Sequence, residues 1–178
     1  MKLPIALSNR HVHLSQADIE ILFGAGHELT HFKPLSQPGQ YACEERVTVK
    51  GTKKDLPGVS ILGPFRKESQ VELSATDCRS IGLGIAVRES GDLKETPGCK
   101  IVGPCGEVEI AEGVIVAKRL IHATPEDALE LGVKDKDVVS VSVKSKRRSG
   151  LSEPYLSIAS RYGILLNADS EALLYLPY

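Results

Sequence analysis

The run Arg10-His11-Val12-His13-Leu14-Ser15-Gln16-Ala17-Asp18 constrains the fold more tightly than any other stretch of the chain. It follows Pro4-Ile5-Ala6-Leu7, an apolar run that reads as a short strand. On a strand, residues i and i+2 share a face and lie about 6–7 Å apart. His11 and His13 therefore present two imidazoles to one side, while Arg10 and Val12 turn to the other. Ser15-x-x-Asp18 is a helix N-cap signature, with apolar Ile19, Ile21 and Leu22 following and Gly24 as the stop. The histidine pair thus sits where a short strand hands over to a short helix. Such a pair is the beginning of a metal site, because imidazole suits zinc and related divalent ions. The alternative is a pair of polar strand residues hydrogen-bonding a neighbouring loop.

The pattern recurs, and the recurrence favours the metal. Val114-Ile115-Val116-Ala117 is a second strand-like run, followed by Lys118-Arg119-Leu120-Ile121-His122-Ala123-Thr124-Pro125-Glu126-Asp127. At one constant spacing Arg10 corresponds with Arg119, His13 with His122, Ser15 with Thr124 and Asp18 with Asp127. Pro125 suits a first helical position, and Gly132 again ends the helix. A repeated strand–ligand–cap–helix unit suggests two similar halves facing one site. His11 alone is matched by a residue that binds no metal, Leu120.

The 178 residues suffice for one compact domain or two small ones. With 22 basic and 23 acidic residues no broad nucleic-acid-binding field is expected. Apolar residues form 42% of the chain, enough for a core, and no apolar run approaches the roughly 20 residues that span a bilayer. The N-terminus lacks a basic-then-apolar signal region. Cys43, Cys78, Cys99 and Cys105 show neither Cys-x-x-Cys spacing nor the density of a stapled secreted domain. A soluble cytoplasmic protein with reduced thiols is expected.

Strand and turn signals dominate the middle. Residues 25–45 read as an ordered loop with a short strand near Leu35, and His27 and His31 within it as surface histidines. Arg46–Gly51 alternates, and Val59-Ser60-Ile61-Leu62 follows the Pro57-Gly58 turn. After Gly63-Pro64, Arg66 offers a bidentate fork for phosphate, supported by Lys67 as a point charge; a solvated surface charge is the competing reading. Gln70-Val71-Glu72-Leu73-Ser74 alternates like a strand and runs into a third cap, Ser74-x-x-Asp77. Glu72 therefore also lies at a strand-to-helix junction, where a carboxylate can join histidines on a metal. Arg88-Glu89-Ser90-Gly91-Asp92 is a polar turn, and Gly98–Glu109 a hairpin. Val138–Val143 reads as a strand, Lys144–Arg148 as an exposed basic turn, and Ile164–Asp169 as a last strand entering a helical turn. Short strands, short capped helices and frequent Gly/Pro turns suggest a mainly β protein of small β-barrels with helical caps.

Four motifs carry a resemblance to a known family. Ser8-Asn9-Arg10-His11-Val12-His13-Leu14-Ser15 resembles the opening motif of the phosphate propanoyltransferases, the PduL-type phosphotransacylases. Leu62-Gly63-Pro64-x-Arg66 with Gln70-Val71-Glu72-Leu73-Ser74-x-x-Asp77 is similar to the central motif of that family. Arg88-x-Ser90-Gly91-Asp92 and Glu112-Gly113-Val114-Ile115-Val116-Ala117 resemble two more, and the similarity covers nearly the whole chain in order.

The resemblance implies two small β-barrels capped by short α-helices, divided here as residues 1–24 plus 111–178 and residues 25–110. It implies exchange of coenzyme A and phosphate on a short acyl group: acyl-CoA plus phosphate gives acyl phosphate plus CoA. It also implies a two-metal site, usually zinc, with His11 and His13 on one metal and Glu72 and His122 on the other. Arg66 would hold the phosphate and Ser90 would line the same pocket. Leu120 and Asn167 stand where the family has histidines, so each metal lacks one imidazole, Asn167 offering only a carbonyl oxygen. One or two zinc ions per chain at reduced occupancy are expected, with coenzyme A as substrate. The alternative is a catalytically impaired family member acting as a CoA- or metal-binding or assembly subunit; a third reading is a transferase or CoA binder for another acyl group or acceptor. The expected partners are acyl-CoA and phosphate, with no nucleic acid and no membrane, in a homo-oligomer. Because only seven residues precede Ser8, residence in the cytoplasm outside any microcompartment is expected.

Overall fold

A computed structural model describes residues 5–8, 10–35, 37, 39–139, 155–158 and 165–169. The expected strand to Val143, the basic turn 144–148 and the helical turn after Asp169 lie outside the described residues. The chain is mainly β with three short helices among the described residues. It divides into two compact units, residues 10–116 and residues 1–9 with 117–178.

Residues 10–116 hold the histidine pair. Strand β2 (His11–His13) leads through the cap Ser15 into helix α1 (Gln16–Phe23), whose Gly24 N–H bonds back to the Glu20 carbonyl. Strands β4 (Tyr41–Lys50) and β5 (Leu56–Gly63) form the longest antiparallel pair, with β3 (His31–Pro34) beside β4 and fully exposed. Strand β6 (Gln70–Glu72) passes through the cap Ser74 into α2 (Ala75–Ile81), which ends at Gly82 in the left-handed conformation, φ 81°. Strands β7 (Val87–Arg88), β8 (Cys99–Val102), β9 (Glu107–Ile110) and β10 (Val114–Ala117) complete the sheet, β8 and β9 being the expected hairpin. The order is β7-β10-β6-β2-β5-β4-β8-β9. Alternating residues turn Val47, Val49, Val59, Ile61 and Ile101 inward, where they join Val12, Leu14, Ile19, Leu22, Val71 and Ile81 in one core.

The second unit has a four-stranded sheet, ordered β1 (Ile5–Ser8), β13 (Leu165–Asp169), β11 (Leu120–Ala123) and β12 (Tyr155–Ile158). Helix α3 (Pro125–Leu131) follows β11 through a capping box: Asp127 N–H donates to the Thr124 hydroxyl while the Asp127 carboxylate accepts from Thr124 N–H at 3.0 Å.

The sequence repeat is a repeat of strand registers. In the first unit β2 runs antiparallel to β6 with His11 opposite Glu72 and Val12 opposite Val71, and parallel to β5 with His11 beside Ser60. In the second, β11 runs antiparallel to β13 with Leu120 opposite Asn167 and Ile121 opposite Leu166, and parallel to β12 with Leu120 beside Tyr155. The outer partners match as well: β6 is parallel to β10, Glu72 beside Ile115, and β13 is parallel to β1, Asn167 beside Ala6. β1 precedes β2 along the chain yet pairs with β13, and β10 precedes β11 yet pairs with β6. The first strand of each repeat therefore completes the sheet of the other.

Candidate metal and phosphate site

The site is built at the β2–β6 pairing, and the two helix caps fix its register. The Asp18 carboxylate in the first turn of α1 accepts from the Ser15 hydroxyl at 2.8 Å and from the Ser69 hydroxyl, while Ser15 N–H donates to Ser69 Oγ at 2.9 Å. The Asp77 carboxylate in the first turn of α2 accepts from Arg10 Nη2 at 2.8 Å. Ser69 precedes Gln70 and Arg10 precedes His11, so each helix start grips the root of the other helix's strand. Slippage by one residue would break both grips and turn the ligand face into the core.

That register gathers His11, His13 and Glu72 into a cluster whose ligand atoms all lie within 4.8 Å of one another. His11 Nε2 is 3.4 Å from Glu72 Oε2, and His13 Nε2 is 3.8 Å from Glu72 Oε1. The two rings meet edge to face with centroids 5.1 Å apart. All three residues are buried, at 8%, 2% and 6% exposure. His13 Nδ1 lies 3.2 Å from the Leu62 carbonyl oxygen. A carbonyl only accepts, so Nδ1 carries the proton and Nε2 turns a lone pair toward Glu72. The resemblance gives Glu72 to a second metal with His122, whereas the geometry groups it with His11 and His13.

The protonation states suit a cation. Burial, followed by His11 and Arg66, pushes the His13 imidazole down to about 3 against the opposing pull of Glu72 and the Leu62 carbonyl. Burial alone would raise the Glu72 carboxyl, but His11, His13 and Arg66 outweigh it and hold it down at about 2. At neutral pH His13 is therefore a neutral imidazole and Glu72 a carboxylate, the forms in which each ligates a metal. Two imidazole nitrogens and a carboxylate oxygen are the donor set of a zinc centre with an open position, so the residues present fit zinc.

Arg66 adjoins the cluster. Its backbone N–H donates to the Leu14 carbonyl at 2.8 Å, tying the segment after β5 to the end of β2. Its Nη1 donates to Ser90 Oγ at 2.8 Å. Ser90 Oγ also accepts from Gln70 Nε2 at 3.0 Å and donates to Glu72 Oε1 at 3.2 Å, which uses both lone pairs and the proton of one hydroxyl. The half-buried guanidinium is lowered by desolvation and raised by Glu72. It provides the planar fork that anions such as phosphate match.

Five residues named from the sequence, His11, His13, Glu72, Arg66 and Ser90, thus converge in the unit of residues 10–116. His122 and Asn167 belong to the other unit. There His122 is half-buried on β11, its imidazole pushed down by burial, and its register partner is Leu165; the partner of Asn167 is Leu120. By register Leu120 occupies the place of His11, and Asn167 that of Glu72. His27 instead pairs with Glu45 at 3.0 Å and stacks on Phe23, while His31 stacks on Tyr41. The four cysteines are free thiols.

The sequence marks Gln70 as a strand and motif residue but not as part of the site, although it stands two residues before Glu72 on the same strand face. It is 1% exposed; Nε2 donates to Glu72 Oε1 at 2.5 Å as well as to Ser90, and Oε1 accepts Gly91 N–H at 2.7 Å.

The comparisons with known proteins agree on one family. The model of the family described as phosphate propanoyltransferase matches residues 4–171. A phosphate propanoyltransferase of Thermotoga maritima is 48% identical over 168 residues, covering 94% of this chain and 80% of that protein. One from Clostridioides difficile is 44% identical over 165 residues, covering 93% and 79%. One from Salmonella typhimurium is 50% identical over 146 residues, covering 82% and 69%.

Proposed function

The chain belongs to the phosphate propanoyltransferase family, and from that premise we propose that it exchanges coenzyme A for phosphate on a short acyl group, using zinc held by His11, His13 and Glu72. One observation carries this reading: three buried ligands lie within 4.8 Å of one another, and one of them, Glu72, shares a hydrogen-bonded network with Arg66 and Ser90. Bound there, zinc would supply a Lewis acid for the thioester carbonyl and for the departing thiolate. The chain's own residues do the rest. Arg66 binds and orients phosphate through its fork, and Ser90 lines the same pocket. A phosphate oxygen attacks the thioester carbon; the C–O bond forms, the C–S bond breaks, and coenzyme A leaves as the thiolate. Both Arg66 and the phosphate are fixed before the attack, which removes the entropy of bringing two molecules together.

Each unit is inferred to close into a small barrel. Cytosolic residence outside any shell, and self-association, belong to the same proposal. One zinc per chain is expected, because Leu120 and Asn167 leave the register counterpart of the site without two ligands. That same observation favours one second reading, a family member that binds coenzyme A or metal without turnover. Following thiol release from propanoyl-CoA with phosphate and zinc, alongside metal analysis of the purified protein, separates the two. Release that requires both phosphate and zinc supports the transferase; bound zinc without release from any short acyl-CoA supports the second reading.

A further inference from the structure

We propose that Gln70 is a positioning residue that couples the cation site to the phosphate site. The inference rests on the function proposed above. A buried side-chain amide has two donors and a two-lone-pair acceptor, and an unpaired buried donor or acceptor is costly. Gln70 spends both donors on the two halves of the site: one N–H holds Glu72 Oε1 and the other holds Ser90 Oγ. Its carbonyl holds Gly91 N–H, which hangs the loop bearing Ser90 from β6.

The consequences differ for the two oxygens of Glu72. Oε1 receives Gln70 and Ser90, whereas Oε2 faces His11 Nε2 at 3.4 Å. Gln70 thereby fixes the carboxylate rotamer and leaves Oε2 turned toward the His11 ring nitrogen, with which it would share a cation. The same amide sets where Ser90 stands, and Ser90 accepts from Arg66 at 2.8 Å. A cation that draws on Glu72 pulls on the amide and on the Ser90 hydroxyl bonded to the same oxygen, and the amide, which holds both partners and the Gly91 N–H, carries the displacement to the loop that faces Arg66. Partners that orient a metal ligand typically matter by about 10–100-fold in metal affinity. Coupling between two sites is reciprocal, so phosphate must tighten zinc by the factor by which zinc tightens phosphate.

Gln70→Met keeps the length and removes the three amide hydrogen bonds. Zinc affinity of the metal-stripped full chain is measured by competition with a chelating dye, with and without inorganic phosphate. In the wild type phosphate should tighten zinc at least about fivefold. Gln70→Met should weaken zinc about 10–100-fold and reduce the phosphate effect to within twofold of none. A variant that retains both zinc affinity and the phosphate effect within twofold overturns the inference. A wild type that binds zinc indifferently to phosphate overturns it too, while leaving the zinc site intact. A wild type that binds no zinc overturns the functional reading itself. Should Gln70→Met fail to fold, amide exchange at Gly91 in the wild type decides: zinc should slow it at least about fivefold, and an unchanged rate refutes the coupling.

Discussion

Protonation of His13 should cost the metal-free protein stability on the acid side, by an amount that follows from its surroundings. Burial comes first among the causes that push it down, then His11 and Arg66, and the result is about 3 in the folded chain against 6.5 ordinarily. A folded value below the unfolded one means that the unfolded chain binds the proton more readily. The stability contributed by neutral His13 is therefore whole above pH 6.5 and is lost progressively as pH falls toward 3. Each pH unit in that window costs about 1.4 kcal/mol, so a shift from pH 7.5 to 5.0 removes about 2 kcal/mol. His13→Gln can still donate to the Leu62 carbonyl but has no proton to gain. Because the chain contains no Trp, urea unfolding in the presence of a chelator is best followed by far-UV circular dichroism. The wild-type midpoint should fall by about 1 M more than that of His13→Gln over this pH range, given a typical slope of about 2 kcal/mol per molar. Parallel losses in the two proteins would refute the assignment of a buried neutral imidazole at position 13.

Other substitutions probe the rest of the site. Glu72→Gln keeps the shape and removes the charged ligand; zinc affinity in a competition assay should drop by about 3 kcal/mol, on the order of 100-fold. Arg66→Lys keeps a charge and loses the fork, so the KM for phosphate should rise about 10–100-fold with little change in that for acyl-CoA, read from initial rates. Away from the site, a Cβ on Gly51 would lie 2.1 Å from the Ile81 carbonyl oxygen and 2.6 Å from Ile81 Cβ. Gly51→Ala should accordingly cost at least about 1–3 kcal/mol, seen as a thermal midpoint several degrees lower.

Local features of the site were legible, because they depend on short-range periodicity. The same-face placement of His11 and His13 follows from the two-residue period of a strand, and the caps at Ser15, Ser74 and Thr124 from side chains matched to the N–H three residues on. What escaped lies between segments far apart in sequence. Nothing local to Asp77 announces Arg10 as its partner, and Gln70 looks like an ordinary polar strand residue until Ser90 and Gly91 arrive from another loop. The exchange of β1 and β10 was hidden for the same reason: an apolar run declares a strand, not the sheet that takes it.

The recurrent geometry also separates what the backbone provides from what the side chains decide. His13, Glu72 and His122 each stand two residues before a helix cap, at Ser15, Ser74 and Thr124. One strand-to-cap connection therefore offers the same slot three times and accepts imidazole or carboxylate alike. The antiparallel pairing beside it is likewise used twice, once with His11 opposite Glu72 and once with Leu120 opposite Asn167. In the second use Leu120 and Asn167 stand in place of the imidazole and the carboxylate and the register remains, so a metal is not needed to align such strands. Between the histidines of β2, Val12 is fully buried opposite an equally buried Val71, and the cap aspartates grip both strand roots. These contacts owe nothing to a cation. Zinc-stripped protein should then keep its far-UV circular dichroism and a cooperative unfolding transition, in contrast to domains whose folding energy is metal binding itself. Loss of structure on chelation would mean that the ligand cluster, rather than the apolar pair and the caps, sets the register of β2 and β6.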